Sequence, residues 1–238
     1  PGTRRYEQAK ALLDMQNVTE VPSRSSYFGI IDLAGFKKDR FYLYQSKWRP
    51  ELPMAHILPH WNWPERKGQV TPVHVYTSGD EAELFLNGKS LGKRKKGQYE
   101  YRLRWDDVIY QPGELKVVAY KNGEKWAENK VVTSGKASML SVSADRNEVA
   151  ADGSDLVFIT VRIEDRKGNM VPRSSNLVNF SIQGPGKIVA VDNGDATSHD
   201  PFQASYRKAY NGMCLVIVKA EKGANGSFTV KAESRGLK

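Results

Sequence analysis

Few residues in this chain of 238 combine a reactive type with a spacing that chemistry could use. Its four histidines are His56, His60, His74 and His199. None stands beside a nucleophile-elbow motif, and His74 falls inside an alternating strand pattern. His56 and His60 are four apart, a zinc-binding spacing on a helix, but Pro59 interrupts them and their neighbours favour extended chain. On a strand they would stand about 13 Å apart, too far to share one metal ion directly. The run 56–64 is therefore expected to pack as a structural aromatic segment, with a carbohydrate-stacking platform on Trp61 and Trp63 as the alternative. Cys214, the only cysteine, sits in an apolar run and reads as a buried, inert thiol. A single cysteine excludes an intrachain disulfide and a cysteine-clustered metal site. The stretch from Asp192 to Asp200 is the densest cluster of oxygen ligands, but it lacks the spacing of a calcium-binding helix–loop–helix. Turns in which Asp and Asn side chains bond the backbone explain it as well. The carboxylates fall in turns or on wet strand faces, and none stands in a motif assignable to a general acid or a nucleophile. No cofactor and no metal are expected.

Composition bounds the rest. With 39% apolar and 26% charged residues the chain has an ordinary globular make-up, and its length favours two compact units plus extra segments. No stretch approaches the roughly 18 consecutive apolar residues of a membrane span, so no membrane partner is expected. The first residues lack an apolar signal region, which places any export signal outside this chain. The formal charge of +9 is partly local, as in Lys93–Lys96, and comes without a nucleic-acid-binding signature; no nucleic-acid partner is expected.

The elements that must position these residues change in texture along the chain. Good helix formers at 6–15 place Ala9, Leu12 and Leu13 on one side. Irregular chain follows at 22–26. A second helix is expected over about 38–49, with Phe41, Tyr44 and Trp48 on one face and Pro50 ending it. From about 55 the pattern is all-β. Strands are expected at 73–77, 82–86, 99–105, 114–120 and 126–132, with Asn87-Gly88 and Asn122-Gly123 as hairpin turns. After a linker at 133–136 the pattern restarts with strands at 140–142, 156–163, 178–182, 214–218 and 228–230. Short strands with regular turns imply two sandwiches.

The segment Ser23-Arg24-Ser25-Ser26-Tyr27-Phe28-Gly29-Ile30-Ile31-Asp32-Leu33-Ala34-Gly35-Phe36, with 37–48 after it, resembles glycoside hydrolase family 2, particularly β-galactosidase-like members of gut bacteria. His56 through Trp63, Glu83 through Gly92, Asp152 through Leu156 and the Gly184-Pro185-Gly186 and Asp192–Asp195 motifs resemble later parts of the same family, in its order. The resemblance implies a mainly β chain: two immunoglobulin-like β-sandwich domains preceded by the last loop and helix of a (β/α)8 barrel. Residues 1–54 would be the barrel remnant, 55–134 an accessory sandwich and 135–238 a terminal immunoglobulin-like domain. The catalytic glutamates would lie upstream, so the fragment alone is expected to be inactive. The loop before residue 38 would border the sugar pocket, because barrels work through the loops at the C-terminal ends of their strands. Its candidate substrate contacts are Ser26, Tyr27, Phe28 and Asp32, with packing of Tyr27 and Phe28 against the barrel as the alternative. Glucuronide-cleaving relatives carry Asn-x-Lys before the glycine matching Gly29; Ser26-Tyr27-Phe28 stands here, which favours a neutral sugar. The implied partners are the upstream barrel and a β-glycoside, with a homo-oligomer as a further expectation and a periplasmic or secreted location. A carbohydrate-binding module and an adhesive immunoglobulin-like protein are the competing readings.

Overall fold

A computed structural model describes residues 23–238, so the helix expected over 6–15 lies outside the described residues. After a loop at 23–38 comes a helix, α1 (Asp39–Trp48). It stops where expected: Arg49, before Pro50, has φ −126° and ψ 62°, outside helical geometry.

Seven strands follow: β1 (Ala55–Leu58), β2 (Val73–Thr77), β3 (Glu81–Leu86), β4 (Lys89–Lys95), β5 (Leu103–Trp105), β6 (Glu114–Lys121) and β7 (Glu124–Val132). They form a three-stranded sheet, β1-β2-β5, and a four-stranded sheet, β4-β3-β6-β7. Period-two alternation directs Val73 and Val75, Ala82 and Leu84, Leu103 and Trp105, and Leu115 and Val117 into one core. The hairpin turns need positive φ, and Asn87 and Gly88 (51° and 80°) and Asn122 and Gly123 (53° and 84°) supply it. The charge run Lys93–Lys96 is explained by position as far as Lys95, while Lys96 beyond it donates to the Thr77 carbonyl. β4 is a sheet edge, and its lysines and arginine oppose pairing with another chain.

The second set is β8 (Met139–Ala144), β9 (Val157–Glu164), β10 (Leu177–Gln183), β11 (Gly186–Asp192), β12 (Tyr206–Lys208), β13 (Met213–Ala220) and β14 (Thr229–Glu233). A four-stranded sheet, β11-β13-β9-β8, and a three-stranded sheet, β12-β10-β14, supply a separate core around Ile159, Val161, Phe180, Cys214 and Val216. Burial pushes the Cys214 thiol up to about 12, the behaviour of an inert core residue.

The strand expected over 99–105 is shorter than the alternation implied. Only Leu103–Trp105 pairs, while Tyr99 and Tyr101 are exposed. A local turn competes for the backbone: Glu100 N donates to the Gly97 carbonyl and Gly97 N to the Glu100 carboxylate.

The segment 59–64 forms a seam between the two cores. Trp61 is fully buried, its indole Nε1 donating to the Gln111 carbonyl at 2.9 Å. Its own carbonyl accepts from Thr133 Oγ1 at 2.6 Å. Asn62 Nδ2 donates to the Val132 carbonyl at 3.1 Å, and its Oδ1 accepts from Ser134 N and Oγ, both at 2.9 Å. At the far end of the linker, Gly135 N donates to Asp165 Oδ2 at 2.7 Å. Burial would raise the Asp165 carboxyl, but hydrogen bonds from Gly135, Asn169 and Lys167 outweigh it and hold the group down at about 2. The packing role expected of this aromatic run accords with Trp61, and the alternative of a stacking platform finds no open face on a ring with no exposure. Trp61→Ala is expected to lower stability by about 3–5 kcal/mol in urea unfolding. A loss below about 1 kcal/mol would show that the seam does not hold the first core.

Candidate functional site

The loop 23–37 carries four of the six site residues expected from sequence. Its two arms meet through an antiparallel bridge between Ile31 and Lys37. Between them a tight turn forms: Phe36 N donates to Asp32 Oδ1 at 2.9 Å, Gly35 N to the Asp32 carbonyl at 3.1 Å, and Gly35 has φ +83°. Ser26, Tyr27 and Phe28 are exposed at the tip, Phe28 to 84%. The backbone there is fixed from several directions. Tyr27 Oη and Ser23 Oγ share a 2.7 Å hydrogen bond, Lys38 Nζ donates to the Tyr27 carbonyl at 3.2 Å, and Phe28 N donates to Ser26 Oγ at 3.2 Å.

Asp32 is only half exposed, and its carboxylate is committed inside the protein. Oδ1 accepts from Phe36, and Oδ2 lies so close to Gly194 that a Cβ there would fall 2.1 Å away. Burial raises its carboxyl above the usual range. Backbone N–H groups of Phe36 and Ala34 counter this in part, and the nearby Asp192 carboxylate adds to the rise.

The loop rests on the second sandwich. Ala34, Gly35 and Phe36 line one shallow cleft with Phe158, Thr160 and Leu215. Leu215 lies on the opposite face of β13 from Cys214 and Val216, yet it is 4% exposed. On the other side of the loop, α1 lies against the first sandwich. His56 Nε2 is 2.8 Å from Asp39 Oδ1, and its ring stacks on Tyr42 at 3.9 Å. Tyr44 and Trp48 remain exposed, Trp48 to 70%.

The remaining candidates resolve into structural roles. Trp63 is partly buried, stacks on His60 at 4.3 Å and has the Arg173 guanidinium over it at 5.6 Å. Burial and the nearby Arg173 charge push the His60 imidazole below its ordinary value. In the oxygen-rich stretch, Asn193 N donates to Asp192 Oδ1 at 2.7 Å, Asp195 N to Asn193 Oδ1 at 3.0 Å, and Thr197 N to Asp195 Oδ1 at 2.9 Å. These are backbone-bonding turns, and among the described residues no three His, Cys, Asp or Glu side chains converge on a point that would hold a metal.

Known proteins place this arrangement. Residues 140–238 match the family described as glycoside hydrolase family 2 C-terminal domain 5, and residues 68–127 match a domain of unknown function. A β-galactosidase of Bacteroides ovatus, BoGH2A, is 44% identical over 91% of this chain, which spans 25% of it. A putative β-glucuronidase of Formosa agariphila is 38% identical over 81% of this chain and 19% of its own length. The solved structure of a β-glycosidase from Bacteroides vulgatus superposes with a TM-score of 0.86 at 32% identity, covering 91% of this chain and 27% of that one. The fold of this chain thus recurs within a much longer solved β-glycosidase. The chain belongs to glycoside hydrolase family 2 and corresponds to part of its C-terminal region; it spans about a quarter or less of these relatives.

Because the Asp32 carboxyl is raised, its protonated form favours the docked turn. That contribution is present at acidic pH and is lost as pH rises through the raised value. Asp32→Asn keeps the acceptor for Phe36 and removes the repulsion from Asp192. It is expected to raise Tm by about 1–2 °C at pH 7, with the gain narrowing towards pH 4. Equal destabilisation at both pH values in thermal unfolding would refute this account of the turn.

Proposed function

We propose that this chain is the C-terminal accessory region of a retaining β-glycosidase acting on a neutral sugar such as galactose. In this reading residues 1–54 complete a catalytic barrel, 55–134 and 135–238 are accessory sandwiches that buttress it, and the catalytic glutamates stand on barrel strands upstream. The observation that carries the proposal is the run of exposed rings on 23–48. The segment contacts both sandwiches, while Tyr27, Phe28 and Trp48 are exposed and Tyr44 is partly so. Exposed aromatic side chains in such number on one short segment mark a surface made to be covered. The relatives' extra length supplies a candidate cover, the barrel.

On this reading Ser26, Tyr27 and Phe28 border the sugar pocket, with the two rings offering stacking faces and Ser26 a hydroxyl. The relatives include both a β-galactosidase and a putative β-glucuronidase by name. The absence of Asn-x-Lys before Gly29 is the feature that favours the neutral sugar. The carbohydrate-binding alternative loses its support with Trp61 buried and Trp63 engaged by His60.

The test uses the full-length parent and the isolated chain side by side. The parent is expected to cleave a chromogenic β-galactoside at least about 100-fold more efficiently than the matching glucuronide, the discrimination expected where a carboxylate finds no cation. Phe28→Ala and Tyr27→Ala are each expected to raise KM about tenfold, the worth of one aromatic stacking contact. The isolated chain is expected to release no chromophore. Turnover by the isolated chain, or preference for the glucuronide, would sink the proposal.

A further inference from the structure

We infer that the terminal sandwich positions the sugar-pocket loop, with Arg24 as the positioning residue and the loop 196–202 as its seat. This rests on the reading that 23–37 borders the sugar site, and it adds which part of the molecule sets the shape of that border.

Arg24 makes four contacts with one short stretch of the terminal sandwich. Its backbone N donates to the Ala196 carbonyl at 2.8 Å. Its guanidinium donates from Nη1 to the Asp200 carbonyl at 3.2 Å and from Nη2 to the His199 carbonyl at 3.3 Å. The same guanidinium lies over the Phe202 ring, 4.5 Å from its centre. An exposed arginine holding a single partner contributes little, but a planar fork engaging two carbonyls and a ring face fixes direction.

The seat is itself rigid. Arg207, on β12, is 1% exposed. Its guanidinium donates to the carbonyls of Val191 at 2.9 Å and Pro201 at 3.0 Å and to Ser198 Oγ at 3.2 Å. It also reaches the Asp200 carbonyl at 3.5 Å, the oxygen that accepts from Arg24. One arginine therefore braces the stretch from inside and the other grips it from outside.

A second anchor lies on the far side of the tip, where Asp32 meets Gly194. Gly194 has φ +78°, and the missing side chain is what admits the carboxylate so closely. Ser26, Tyr27 and Phe28 sit between Arg24 and Asp32. Arg24 thus bonds one end of the tip to the terminal sandwich, and Asp32 packs the other end against it.

The experiment is a double-mutant cycle in the full-length parent enzyme. Arg24→Ala is expected to raise KM for a β-galactoside about fivefold and Phe202→Leu about twofold, with kcat changed less than about twofold in both. The pair together is expected to raise KM no more than Arg24→Ala alone, because the ring contact that Phe202→Leu weakens is already lost with the guanidinium. Arg24→Lys, which keeps a cation over the ring, is expected to recover part of the loss. Phe202→Leu preserves an apolar side chain of similar bulk, so it supplies the reading if Arg24→Ala fails to fold. Variants with lowered Tm but unchanged KM would reduce Arg24 to a structural tie and overturn the inference. If KM responds to Phe28→Ala but not to these variants, positioning by the terminal sandwich fails while the pocket-border reading stands. If KM responds to none of them, the pocket-border reading itself fails.

Discussion

The burial of Trp61 and Asn62 is the constraint on which the rest of this structure depends. Once the indole is enclosed, its N–H and the backbone carbonyl beside it have no water to turn to, and each must be paired inside. The partners come from Gln111, Tyr110 and Thr133, and Asn62 adds Val132 and Ser134. Folding of the first core therefore fixes the start of the linker without further contacts. Asp165 then fixes its end through Gly135, with a buried carboxylate whose lone pairs are filled by N–H donors. A glycine- and serine-containing linker would ordinarily behave as flexible chain. This one is hydrogen-bonded at almost every residue, and Arg173 Nη1 adds a tie from the second sandwich to both carboxylate oxygens of Glu65.

That rigidity is what lets one loop touch both sandwiches. Residue 38 leads directly into α1, which is held to the first sandwich by the stack of Tyr42 on His56 and the bond from Asp39. A few residues earlier, Ala34 and Phe36 lie over Leu215 of the second. If the sandwiches swung freely about residue 134, the loop could satisfy one contact set or the other but not both together. The linker hydrogen bonds and the loop contacts consequently reinforce each other: each ordered part lowers the entropic cost of ordering the next.

Much of this was legible in the sequence, and what was not has identifiable causes. Short runs between turns announced strands, as in Glu81–Leu86 and the β-branched Val157–Glu164, and Asn-Gly pairs placed two hairpins. The helix face of Phe41, Tyr44 and Trp48 followed from spacing. Alternation misled at Tyr99 and Tyr101, where a Gly97–Glu100 turn took the backbone. The run around Trp61 left a ligand platform open as an alternative to packing because an aromatic run gives no sign of which ring faces inward. Arg24 and Arg207 were invisible, since a basic residue in a polar stretch or a short strand reads as solvated. One signal did exist. Met213 through Val218 is apolar without interruption, where a sheet wet on one face would alternate, and Leu215 is buried under the loop on the outer face.

The same contacts bear on what the tip can recognise. Every charged side chain of the loop whose hydrogen bonds are described serves the loop itself. Arg24 faces the terminal sandwich, Asp32 caps its own turn, and the Lys38 ammonium is bonded to the Tyr27 carbonyl. What remains outward at the tip is a hydroxyl and two rings. A uronate would need a cation there, and the Lys38 ammonium is drawn back to the Tyr27 carbonyl, which limits its reach beyond the tip. A neutral sugar makes no such demand, since its hydroxyls suit Ser26 and its apolar face suits an aromatic ring. On the proposed reading, then, substrate preference and loop order are coupled: Arg24 and Lys38 serve to shape the border, and Lys37 is turned to the Phe41 ring.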